Sequence, residues 1–145
     1  MVSQELIDEI DATLASQTSV RRLARDDELA LIENVAAKFI DDKDALWWWT
    51  SLKSPSQRHP YQHDGWRAII GKLTIGSPSA ILVVTDDEFP PWPAYIGPIP
   101  ELLELISETR SFEFMLVGDA LAWLLCDCHS NEIVFCGDRE DAVEL

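Results

Sequence analysis

The sequence predicts an α+β fold: a single domain with a largely antiparallel sheet of about five or six strands and about four helices packed on it. Three observations carry that reading. Apolar residues recur at helical spacing through residues 1–42. A continuous, largely β-branched run occupies residues 80–85. The last third of the chain alternates and doubles back twice, as a β-meander does. A length of 145 residues suits one hydrophobic core, and no internal repeat or low-complexity linker divides it.

The elements follow in order. Leu6, Ile10 and Leu14 recur every four residues between Glu5, Asp8, Glu9 and Asp11, giving an amphipathic helix with an acidic outer face and Ser3 as its cap. A second helix follows Asp26-Asp27-Glu28, whose carboxylates suit the positive end of the helix dipole. Leu29, Ile32, Val35, Ala36, Phe39 and Ile40 form its apolar stripe. Residues 1–42 are thus a helical N-terminal part. On a short strand, Trp47 and Trp49 share one face and Trp48 takes the other. Residues 54–63, with Pro55 and Pro60, read as a loop. Asp64 then caps a third helix bearing Trp66, Ile69, Ile70 and Leu73.

The run 80–85 reads as a strand buried on both faces. Asp86-Asp87-Glu88 ends it. Phe89-Pro90-Pro91-Trp92-Pro93 cannot donate a regular hydrogen-bond ladder and is loop or edge. Ala94-Tyr95-Ile96 returns as a short strand. Pro98 and Pro100 frame a fourth helix, with Ile99, Leu102, Leu103 and Ile106 on one side. Phe112, Phe114 and Leu116 then alternate with Glu113, Met115 and Val117, and Gly118-Asp119 turns the chain. Residues 121–128 form a central strand, Ser130-Asn131 turns again, and 132–136 returns. The sheet therefore lies within residues 45–137, and 138–145 is an acidic tail.

The chain carries 26 acidic and 11 basic residues, a net charge of −15. That charge repels phosphate, which argues against nucleic acid and against an anionic membrane surface as partners. It is also uneven. Residues 1–50 hold 11 acids and 5 bases, residues 51–100 hold 4 of each, and residues 101–145 hold 11 acids and 2 bases. Such an excess serves solubility alone, or steers a basic protein partner. The N-terminus has no basic segment followed by an apolar run, and no stretch has the length of a membrane helix. The three cysteines are an odd set near the end of the chain. These features point to a reduced, cytoplasmic protein.

Candidate chemistry is sparse. Cys126, Cys128, His129 and Cys136 are metal-ligand types, but they lack the paired-knuckle spacing of a structural zinc site. With a two-residue turn at Ser130-Asn131, Cys136 falls opposite Leu125, on the His129 face and away from Cys126. No metal site is expected, and no cofactor. Asp127 and His129 share a face, and a carboxylate beside an imidazole can support acid–base work. Without a recognised nucleophile they remain an alternative catalytic pair. His59 and His63 read as surface histidines. No phosphate-binding glycine loop or hydrolase motif is present. Asp86, Asp87 and Glu88 could meet a cation or a basic partner.

Six tryptophans stand out. Trp66 and Trp123 sit in apolar patterns and read as core. Trp92, Tyr95 and Trp48 read as aromatic anchors for a partner, a role in which tryptophan is enriched. The aromatics also carry a resemblance. Trp47-Trp48-Trp49 with Leu52, the strand ending in Asp86-Asp87, Trp92-x-x-Tyr95-x-Gly97, Phe112-Glu113-Phe114, Trp123-Leu124-Leu125-Cys126, His129 and Gly137 together resemble a bacterial domain family of unknown function. Where that family follows its histidine with a second histidine and an acid, this chain has Ser130 and Asn131. The resemblance implies no activity. By analogy with small acidic proteins, the expectation is a non-catalytic binding module of immunity-protein type, masking a basic toxin or enzyme. The alternatives are a small enzyme at Asp127 and His129, and a homodimerising scaffold.

Overall fold

The computed structural model describes residues 4–14, 19–42, 48, 51–53, 56–63, 65–74, 76–85, 92–109, 112–128 and 131–137. The helices are α1 (Gln4–Leu14), α2 (Arg25–Phe39), α3 (Trp66–Leu73) and α4 (Ile99–Glu108). The strands are β1 (Arg21–Arg22), β2 (Gln57–Pro60), β3 (Ser79–Val84), β4 (Ala94–Pro98), β5 (Phe114–Gly118), β6 (Trp123–Cys128) and β7 (Glu132–Gly137). All seven strands join one sheet in the order β1-β4-β3-β5-β6-β7-β2, and every pairing is antiparallel. The expected α+β class, four helices and C-terminal meander are all present. The strand number is seven rather than five or six, because both outermost strands escape a hydrophobic pattern. Arg21 and Arg22 contain no apolar residue at all. Gln57–Pro60, expected as loop, hydrogen-bonds along β7, and its proline sits at an edge where a missing N–H costs no ladder bond.

Register assigns side chains to two faces. Tyr95, Leu82, Leu116, Leu125 and Phe135 form one cross-strand row. Helix α4 packs on β3 and β4, α3 packs on β7, and α1 packs on α4, so three helices cover this face. Trp66 of α3 meets Phe114 edge to face at 6.3 Å. The opposite face carries Ile96, Ile81, Val117, Leu124 and Cys136, and α2 crosses it.

Three local readings change. The hairpin between β6 and β7 has three loop residues, not two, with Asn131 at φ 58°. Cys136 therefore pairs with Leu124 and lies on the Cys126 face, one register step from the expectation. The turn between β5 and β6 sits at Asp119–Leu121 rather than Gly118-Asp119, with Ala120 and Leu121 both at positive φ. Within α2, Glu28 is buried and Leu29 is exposed, so the inward stripe is Glu28, Ile32, Val35 and Phe39.

Trp123 explains two glycines. A Cβ at Gly118 would stand 2.5 Å from its indole, and one at Gly137 would stand 2.6 Å from its Cβ. The ring needs bare backbone on both neighbouring strands, and its Nε1–H donates to Ser77 Oγ at 3.1 Å.

Candidate functional site

Helices α1 and α4, side by side, make the outer layer of the three-helix face. Leu6 and Ile10 of α1 and Leu102 and Leu105 of α4 are fully buried, which turns the polar sides outward. Those sides carry four carboxylates on α1 (Glu5, Asp8, Glu9, Asp11) and three on α4 (Glu101, Glu104, Glu108), and neither helix has a basic residue. Glu5, Asp8, Asp11, Glu104 and Glu108 are exposed. Arg67 of α3 reaches Glu104 at 2.9 Å and Ser107 at 3.1 Å, so it closes one margin of the acidic layer.

The expected aromatic anchors are not at this surface or any other. Trp48, Trp92 and Tyr95 are buried, at 5%, 2% and 0% exposure. Trp48 and Trp92 meet edge to face with ring centroids 5.0 Å apart, so each ring hides the other. Tyr95 sits in β4 under α1, and its hydroxyl has no hydrogen-bond partner among the described residues. Burial pushes that phenol well above the usual tyrosine range, with Asp11 adding to the effect. These rings are core: Tyr95 lies in a covered strand, and Trp48 and Trp92, outside the strands, are buried against each other. Asp86, Asp87, Glu88, Trp47, Trp49 and His129 lie outside the described residues. Among the described residues, the exposed large apolar side chain is Leu29 alone, which makes no interface-sized patch.

Sequence reasoning missed Glu28. It is 1% exposed, and its Oε2 accepts from the backbone N–H of Ala94 at 2.8 Å and from Arg22 Nε at 3.1 Å. Arg25 lies 3.6 Å from its Oε1. The carboxylate thus fastens α2 to the edge of β4, where the two-residue β1 runs out. In the sequence it looked like one more acid in a helical first turn.

Asp127 is half-buried on the three-helix face, beside its register partners Phe114 and Ile133. Tyr61 Oη donates to its Oδ1 at 2.7 Å. Burial raises its carboxyl to about 6, against the lowering effect of the Tyr61 bond, and Glu113 adds a like charge. His59, two strands further out in the same register row, is lowered by partial burial and lies 3.3 Å from Gln57 Oε1. Tyr61 is thus a partner of Asp127 that sequence reasoning, which paired Asp127 with His129, did not name. Among the described residues, no group of three or more His, Cys, Asp or Glu could hold a metal ion. No helix among them is long and apolar enough to cross a membrane.

Comparison with protein-family models, with curated proteins and with solved structures finds no match to the chain.

Proposed function

We propose that this chain is a non-catalytic binding module whose α1–α4 face receives a basic protein partner, in the manner of an immunity protein masking a toxin or enzyme. The observation that supports this is the pair of packed helices bearing seven carboxylates and no cation. Such a layer raises the rate at which a basic partner arrives and rejects acidic ones. Its apolar contacts do not come from Trp48, Trp92 or Tyr95, which are enclosed. The test compares the chain with its Asp8→Lys/Glu108→Lys variant in capture from the native host. The expected outcome is a basic protein held by the former and released by the latter, with an association rate that falls as salt rises. Retention by the variant, or association indifferent to salt, would falsify the reading.

A second reading, a small enzyme, draws on Asp127. A carboxyl raised to about 6 beside a tyrosine hydroxyl can give or take a proton near neutral pH. Asp127→Asn separates the two readings: it abolishes an enzyme and leaves partner capture unchanged.

A further inference from the structure

The face crossed by α2 is incompletely filled. Ile96, Ile81 and Val117 are direct register partners on β4, β3 and β5, so their side chains form a straight row across the sheet. Leu31 and Asn34 of α2 wall that row on one side, and Leu121 stands at its far end. Between them is an open, mostly apolar groove of about 220 Å³. Ile81 and Ile96 are only half-buried, although both lie inside the seven-stranded sheet. Scaled from the roughly 150 Å³ that holds a benzene ring, the groove takes a chain or ring of about eight carbons.

The same row has a charged end. Arg21 is the register partner of Ile96, so it leaves the sheet on the groove face, at the open edge. It is exposed and makes no ion pair with a carboxylate among the described residues. Its neighbour Arg22 points to the other face and is held by Glu28. An arginine without such a pair is conspicuous in a chain with 26 acids and 11 bases. A guanidinium takes a carboxylate with two parallel hydrogen bonds, which a point charge cannot do. Arg21 stands one strand outside the groove lining, whose one carboxylate, Asp119, lies past Val117 on β5, three strand spacings or about 14 Å from Arg21 and beyond the Debye length of about 8 Å at physiological salt. The far rim is held in place as well: Ala120 and Leu121 are at φ 54° and 58°, and Lys38 Nζ donates to the Leu121 carbonyl at 2.6 Å. Left-handed backbone at two successive non-glycine residues persists only where surrounding contacts enforce it.

We propose that this groove binds a hydrophobic monocarboxylate, its carboxylate on Arg21 and its apolar chain laid across Ile96, Ile81 and Val117. The site is separate from the acidic α1–α4 face, and it stands or falls independently of the partner proposed there.

The test is methyl NMR of the full chain titrated with octanoate and, in parallel, with octanol. Octanoate is expected to shift the methyl signals of Ile81, Ile96 and Val117 saturably, and octanol to bind at least about tenfold more weakly. Arg21→Gln should reduce octanoate to the affinity of octanol. Ile81→Trp, which fills the groove and keeps Arg21, should abolish both, and the rest of its spectrum reports that it folds. Equal affinity for acid and alcohol, an unaffected Arg21→Gln variant, shifts centred elsewhere or no binding at all would each overturn the proposal.

Discussion

On one face of the sheet, Tyr95, Leu82, Leu116 and Leu125 are all fully buried beneath α1, α3 and α4; on the other, their neighbours Ile96 and Ile81 remain half-open beside α2. The strands are the same and the residues are equally apolar, so the difference comes from coverage. Three helices exclude water from one side. Among the described residues a single helix, fastened at its start by Glu28, spans the other and leaves a groove. The acidic surface belongs to the well-covered side and the groove to the poorly covered one.

Core truncation gives the largest contrast. Leu102→Ala, on α4, should cost about 3 kcal/mol, because it removes buried methyls and leaves a void that cannot collapse. Ile81→Ala, on the groove, should cost only about 1 kcal/mol, since part of that side chain already meets solvent. Chemical denaturation measures both, and equal costs would erase the distinction between the faces.

Asp127 probes the dryness of the covered face. Its folded carboxyl titrates at about 6 against an ordinary 3.8, so the folded state binds the proton more tightly than the unfolded chain. The sign is therefore the reverse of a salt-bridged carboxylate. Ionised Asp127 costs stability above pH 6, and the cost is relieved as pH falls towards 4. Asp127→Asn keeps an acceptor for Tyr61 and removes the titration. The native chain should gain about 2–3 kcal/mol relative to that variant between pH 7 and pH 4, read from denaturation midpoints.

Glu28→Gln probes the fastening of α2. It leaves Arg22 and Arg25 without their carboxylate, and a loss of about 2 kcal/mol is expected, with faster amide exchange at Ala94. The smallest effect belongs to the groove rim. Ala120 is exposed, so Ala120→Gly removes left-handed strain without losing a contact and should stabilise by about 0.5–1 kcal/mol.

Periodicity made much of this fold legible. Four helices, the β-branched strand and the meander all declare themselves by spacing, because each must turn an apolar side inward. Features that depend on other segments do not. Gln57–Pro60 becomes a strand only because β7 offers it a ladder. Glu28 goes inward because β4 has an unpaired N–H there. Trp92, in a proline-rich loop, and Tyr95, on a short strand, looked like exposed anchors until Trp48 and α1 closed over them. The register of Cys136 turned on a single loop residue, Asn131, whose left-handed backbone no pattern of hydrophobicity reports. For the groove, the apolar run 80–85 says nothing of which alternate positions the covering helix will miss.

The two outermost strands have a further consequence. Both edges of the seven-stranded sheet are short, and both carry guanidinium groups: Arg21 and Arg22 on one side, Arg58 on the other, with Pro60 ending the second edge. Two copies meeting edge to edge would gain a ladder only two to four residues long, and would have to crowd arginines already engaged with Glu28 and Glu132. A largely apolar sheet of this width invites fibril growth when its borders are long and plain. Here the residues that least resemble a strand guard against polymerisation.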